Sequence, residues 1–285
     1  MDTACRDDSE CEAGYHCSAV PVCGALMFSC QKAADTCLAD GDCAGSKCLP
    51  EGPGGARVCV GAVCGRPFLV EAEARLAPIV SSNAWTSRHV TAPRVDHLTV
   101  AERAALAEHW TKMGQMEHAS IAAFARFSLQ LLALGAPPEL VDACTAAMAD
   151  ETAHTKLCFS IASAYAGRAI GPGPLDVSRS LDVTSLADIV DLVIAEGCFG
   201  ETSAALEALE AADSAADPVI VAAYSQIAAD EQRHAELAFR FVRWALRHDP
   251  HTVRARVVQA LVQQVHSSPA VQDVVEPCLY AVLAA

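Results

Sequence analysis

Two stretches of the 285-residue chain repeat one pattern, Ala149-Asp150-Glu151-Thr152-Ala153-His154 and Ala229-Asp230-Glu231-Gln232-Arg233-His234. Residues three apart share a helix face, so Glu151 with His154, and Glu231 with His234, present a carboxylate and an imidazole to the same ion. Holding two dications takes more negative charge than two carboxylates supply. Glu117 lies 34 residues before Glu151, and Glu196 lies 35 before Glu231. Each half of the region therefore offers one upstream Glu and one Glu-x-x-His, and the expected ligand set is Glu117, Glu151, His154, Glu196, Glu231 and His234. Carboxylates inside a helical core are costly unless they bind metal. Mixed oxygen and imidazole donors suit iron, with manganese as the alternative, better than copper or zinc.

Neighbouring residues have supporting parts to play. Asp150 and Asp230 each precede a ligand Glu. Across the core, Asp230 is placed to accept the free ring N–H of His154, and Asp150 that of His234, which fixes the tautomer and raises ligand basicity. Glu201 follows Glu196 by five residues, about 140° around a regular helix, and on that geometry misses the site. A π-bulge in Gly197-Cys198-Phe199-Gly200 would turn it inward as a further ligand or gate. Trp110, Phe124, Tyr165 and Tyr224 fall on inward faces and read first as core. His118, about 100° from Glu117, is not expected to be a ligand. Small residues at Ala119, Ala153 and Ala235 could leave room for oxygen or a substrate.

Four long helical stretches must carry these residues. The first, about 100–134, starts at an N-cap Thr99 with Glu102 three residues on and stops at Gly135-Ala136-Pro137-Pro138. The second, about 138–166, stops at Gly167. A third runs from Thr184 or Ser185 to about Asp213, and a fourth from about 217 to His248. Short turns join the first pair and the second pair, so each forms an antiparallel hairpin. The Gly- and Pro-rich stretch from Gly167 to Val183 can reach about 55 Å, long enough to cross a bundle. One or two further helices occupy the C-terminal end.

Ten of the 14 cysteines lie between Cys5 and Cys64: Cys5, Cys11, Cys17, Cys23, Cys30, Cys37, Cys43, Cys48, Cys59 and Cys64. None forms a CxxC pair, so zinc-finger spacing is missing, and the dense set reads as a disulfide scaffold. The region repeats: Cys5, Asp8, Cys11, Gly14 and Cys17 match Cys37, Asp40, Cys43, Gly45 and Cys48. Disulfides require an oxidising compartment, which leads to an extracytoplasmic expectation (periplasmic, envelope-attached or secreted). No basic and apolar leader precedes Met1-Asp2-Thr3 in this chain. Of the remaining cysteines, Cys144 and Cys158 are about 21 Å apart along one helix and cannot bridge each other. Cys198 and Cys278 are their candidate partners, and buried apolar filling is the other reading.

The organisation expected is a cysteine-rich disulfide module over 1–66, a Pro-punctuated connector over 67–97, the metal-bearing helices over 98–249 and a helical extension over 250–285. A net charge of −15 leaves no basic stripe for nucleic acid, and no uninterrupted apolar run is long enough for a membrane span. Ala-rich composition after residue 100 favours closely packed helices.

The duplicated Glu-x-x-His with its paired upstream Glu resembles the ferritin-like di-iron carboxylate superfamily, its rubrerythrin-like and oxygenase-like members above all. The resemblance covers about 100–248. It implies an all-α fold: a ferritin-like four-helix bundle with a long crossover between helices two and three, here preceded by a small loop-rich disulfide module. It further implies two iron ions, dioxygen or peroxide as co-substrate, an electron donor that the sequence does not name, and an oxidoreductase activity. Ferroxidase or iron handling is the second reading, and a non-enzymatic envelope protein with a structural metal pair is the third. An oligomer is left open.

Overall fold

The computed structural model describes residues 16–22, 25–31, 47–50, 57–60, 68–71, 73–263 and 269–284. The protein is mostly helical. Near the N-terminus, β1 (His16–Val22) pairs antiparallel with β2 (Ala25–Gln31), and β3 (Lys47–Pro50) with β4 (Arg57–Val60). Register sets Cys17 opposite Cys30 and Cys48 opposite Cys59. Cys5, Cys11, Cys23, Cys37, Cys43 and Cys64 lie outside the described residues. The connector forms a short hairpin, β5 (Leu69–Val70) with β6 (Glu73–Ala74), followed by β7 (Ile79–Val80).

Helix α1 (Val100–Ala133) opens with a capping box. Thr99 Oγ1 accepts from the Glu102 amide at 3.2 Å, and Glu102 Oε2 accepts from the Thr99 amide at 2.7 Å. Gly135, at φ +66°, makes the turn into α2 (Pro138–Ala166), which ends at left-handed Gly167. In the following segment, β8 (Gly171–Pro172) pairs with β7, so this crossing strand is pinned to the connector.

The third leg departs from the continuous helix expected of it. Helix α3 (Leu186–Val193) runs into a π-helix over Ile194–Glu201 and then α4 (Thr202–Ser214). Helix α5 (Pro218–His248) follows, and α6 (Pro250–Gln263) and α7 (Pro269–Ala284) complete the chain. No helix among the described residues is long and apolar enough to cross a membrane.

Two large apolar clusters lie along these legs, and a smaller one joins Ala119 and Ala123 of α1 to Phe68 and Val70 of the connector. Of the large pair, one holds Phe124, Phe127, Cys144, Ile194, Cys198, Leu237 and Phe241 and extends to Val257 and Leu279 of α6 and α7. The other holds Trp110, Cys158, Ile161, Ala208 and Tyr224. On every leg the chain passes from one cluster to the other: 110 to 124 on α1, 144 to 158 on α2, 194 to 208 on the π-containing leg, and 224 to 238 on α5. Chain order thus makes α1 run with α5 and against the other two. Between the clusters, the same four legs carry a layer of buried charge.

Candidate metal centre

That layer contains Glu117 from α1, Glu151 and His154 from α2, Glu201 from the π-helix, and Glu231 and His234 from α5. Donor atoms of Glu117, Glu151, His154 and Glu231 lie within 4.8 Å of one another, as do those of Glu151, Glu201, Glu231 and His234. Glu151 and Glu231 belong to both groups. The arrangement is therefore two adjoining sets of four donors that share two carboxylates, and each set can hold a metal ion.

Imidazole orientation follows from the partners on the far side of each ring. His154 Nε2 lies 2.8 Å from Asp230 Oδ2, which leaves Nδ1 facing Glu117 at 3.4 Å, Glu231 at 3.6 Å and Glu151 at 3.7 Å. His234 Nε2 lies 3.3 Å from Asp150 Oδ2, and its Nδ1 is 3.1 Å from both Glu151 and Glu231. The two rings stand 6.2 Å apart, centroid to centroid. Arg233 joins the two aspartates, donating to Asp230 Oδ1 at 2.6 Å and Asp150 Oδ2 at 3.1 Å. Nothing in the spacing of the motif singled out Arg233, although it sits between Glu231 and His234.

Burial is nearly complete. Glu151, His154, Glu201, Glu231 and His234 are 2% exposed or less, while Glu117 at 8% marks the side nearest solvent. His154 Nδ1, Glu151 Oε2 and both Glu201 oxygens are buried without a hydrogen-bond partner. Orphaned donors and acceptors of this kind cost free energy that a cation at their centre would recover. The residues present therefore fit a pair of metal ions.

Protonation in the metal-free cluster has the same logic. Burial, reinforced by the charge of Glu151, pushes the Glu117 carboxyl well up; burial and the charge of Glu231 do the same to Glu201. Burial and the Glu231 charge also raise Glu151, but the neighbouring His154 and His234 imidazoles outweigh them and leave it lowered. Burial pushes Glu231 up too, but the His234 charge and the proximity of both imidazoles carry it below its ordinary value. Burial opposes protonation of His154, yet Asp230 and three glutamates hold its proton well above the usual value. The same opposition favours the charged form of His234, through Glu231 and Asp150. Protons thus occupy the places where metal charge would sit.

Comparison with known proteins yields no match to a family model, a curated protein or a solved structure.

Glu196, expected from its spacing to Glu231, joins neither group. Its two carboxylate oxygens accept from Arg126 Nη2 at 2.8 and 2.9 Å, inside the core. The reason is local. In a π-helix, hydrogen bonds run from residue i to i+5. Residues five apart lie nearly above one another, so Glu201 reaches the layer that Glu196 was expected to occupy. The distortion itself was legible in Gly197 and Gly200, but the withdrawal of Glu196 from the donor layer was not.

The aromatic candidates divide. Phe124 packs edge-on to His234 at 5.1 Å. Tyr224 meets His109, whose Nε2 lies 2.7 Å from the phenolic oxygen, and Trp110, 4.9 Å away ring to ring. Only the structure brings His109 to Tyr224. Tyr165 is buried in the same cluster. His118 stands edge-on to Trp85 at 5.0 Å. A groove of about 700 Å3, lined by Trp85, His118, Ile121, Pro172 and Leu175 among others, has none of the six site residues in its wall. Ala119 and Ala235 are buried. Cys144, Cys158, Cys198 and Cys278 are thiols, and burial pushes that of Cys158 well up.

Proposed function

We propose that the protein is a di-iron carboxylate oxidoreductase, with α1, α2, the α3–π–α4 leg and α5 forming a ferritin-like four-helix bundle around its metal site. One observation carries this reading: two sets of four buried donors, each drawn from three legs, share the carboxylates of Glu151 and Glu231. Shared carboxylates suit bridging ligands. Glu117 and His154 would complete one ion, and Glu201 and His234 the other, each histidine through Nδ1. Oxygen-rich donors with one imidazole per ion suit iron or manganese.

When bound, an iron pair supplies redox chemistry toward dioxygen or peroxide. The chain's own contribution is positional. Asp230 and Asp150 hold the imidazoles in one tautomer, Arg233 ties the aspartates together, and the apolar clusters above and below exclude water. Glu117, the most exposed of the six, lies where a small molecule would enter.

The test is metal analysis of purified protein followed by anaerobic loading with ferrous iron and admission of air. Two irons per chain and near-ultraviolet absorption that appears only with oxygen are expected. A chain that takes up no iron or manganese, with fold and stability unaffected, would sink the reading. Continuous oxidation of added ferrous iron would favour a ferroxidase over an enzyme with an organic substrate.

The N-terminal strands support an oxidising, extracytoplasmic setting. Directly opposed residues on antiparallel strands have Cα atoms about 4.5–5.5 Å apart, within the span of a disulfide. Cys17 faces Cys30 and Cys48 faces Cys59 in register, and Cys17 and Cys48 occupy matching places in the sequence repeat. Cys17–Cys30 and Cys48–Cys59 are the bridges this reading requires. Mass spectrometry of alkylated, unreduced peptides tests them, and four modified thiols at these positions would remove the argument for an oxidising compartment.

A further inference from the structure

Arg126 occupies an unusual place for a charged residue. It is 4% exposed and nine positions beyond Glu117 on α1, where the sequence offers no hint of a partner. Its Nη2 meets both oxygens of Glu196, its Nη1 donates to the Leu69 carbonyl at 2.5 Å, and its guanidinium carbon stands 5.2 Å from the centre of the Phe68 ring. Nη2 is shared between the two carboxylate oxygens while Nη1 is held by the connector backbone, so the guanidinium is anchored on one side and fixes where the Glu196 carboxylate sits.

Glu196 sits at the start of the π-helix and Glu201 at its end. Eight residues of π-helix is long, since such geometry occurs mostly as single-turn bulges. Something outside the segment must favour it over a regular helix. Residues five apart are nearly in line in a π-helix but about 140° apart in an α-helix. Holding Glu196 toward α1 therefore sets the rotation of Glu201. Relaxation to regular helix with Glu196 still held would carry Glu201 out of the donor layer.

We infer that Arg126 is a positioning residue: by clamping Glu196 it holds the π-helix in the rotation that delivers Glu201 to the second ion. This rests on the di-metal reading for the identity of what Glu201 holds, but the clamp itself acts on the metal-free chain. Through Phe68 and Leu69 the clamp also ties the ligand-bearing leg to the connector. A purely structural ion pair would support all four legs alike, whereas the clamp acts on one ligand of one ion.

Two measurements on Arg126→Gln, Arg126→Lys and Glu196→Gln separate these cases. Hydrogen–deuterium exchange of metal-free protein should show faster exchange confined to 194–201, with α1 and α5 unchanged. Cobalt titration followed by visible absorption should show the first ion bound as in wild type. The second ion should bind about tenfold or more weakly in Arg126→Gln, the scale typical of losing an outer-shell support, with Arg126→Lys in between. If Arg126→Gln fails to fold, Arg126→Lys and Glu196→Gln carry the same comparison. Variants whose exchange over 194–201 and second cobalt step match wild type would overturn the clamp, as would exchange that rises evenly across all legs. Wild type that binds no cobalt would overturn the di-metal reading instead, and the exchange contrast would still decide the clamp.

Discussion

His154 and Asp230 face each other across α2 and α5 with 2.8 Å between Nε2 and Oδ2, so the ring can offer only Nδ1 to the donor layer. Asp230→Ala should remove that constraint while touching no donor atom. The expected loss in affinity for ferrous or manganous ion is about 10- to 100-fold, the range for outer-shell partners of metal-bound histidine. Asp230→Asn keeps an oxygen acceptor and should lose less. Titration calorimetry on the three proteins checks the order; equal affinities would show that the aspartate is not orienting the ring.

Glu201, not Glu196, completes the second set of donors. Glu201→Ala should therefore lower metal content from two ions to one per chain and leave the set containing Glu117 and His154 filled. Elemental analysis after loading and desalting gives the count. A variant that retains both ions would return the ligand position to Glu196.

Much of the architecture was open to reading because its signals are local. The Thr99–Glu102 capping box, the Gly135 turn and the left-handed Gly167 lie within a few residues of the ends they define. The pairing of Glu151 with His154 and of Glu231 with His234 depends only on helical repeat. Glu201 is legible only through the π-bulge that Gly197 and Gly200 suggest, and Arg126 and His109 depend on something else. Spacing of 35 residues favoured Glu196, but a spacing argument assumes a constant advance per residue, and the π-helix breaks that assumption. Arg126 and His109 are explained only by partners 70 and 115 residues away. No local pattern encodes such contacts.

Metal uptake should release protons. Glu117, Glu201, His154 and His234 are all biased toward their protonated forms in the metal-free cluster, and ions bind the deprotonated ones. Apparent affinity should consequently rise with pH, including above the ordinary histidine value of about 6.5. Loading in weakly buffered solution with an indicator dye measures the protons displaced. Uptake without acidification would contradict the protonation pattern.

His109 should make the fold sensitive to acid. Burial holds its pKa down to about 4, whereas in an unfolded chain it titrates near 6.5. Between those values the unfolded chain binds the additional proton. Stability is therefore unaffected by His109 above pH 6.5 and falls as pH drops toward 4, by about 3 kcal/mol in all. Urea unfolding of wild type and His109→Gln at several pH values isolates this share as a difference in slope. Parallel profiles would mean that His109 is not the buried neutral imidazole.

Gly197 brings the π-helix against α5 more closely than a side chain permits. A Cβ at this position would stand 2.5 Å from the Cβ of Ala238, so one of the two helices must shift to admit it. Overpacking of this kind costs about 1–3 kcal/mol, so Gly197→Ala should lower the urea midpoint accordingly. Because Glu201 follows four residues later, the same change should weaken the second ion beyond what the stability loss explains. The double variant Gly197→Ala/Ala238→Gly removes the collision and restores the approach of the two helices, and should recover metal affinity even if a cost in stability from the lost Ala238 methyl remains. Recovery in the double variant would tie the π-helix geometry to the ion. Gly197→Ala that binds both ions as wild type does would separate close packing at Gly197 from the placement of Glu201.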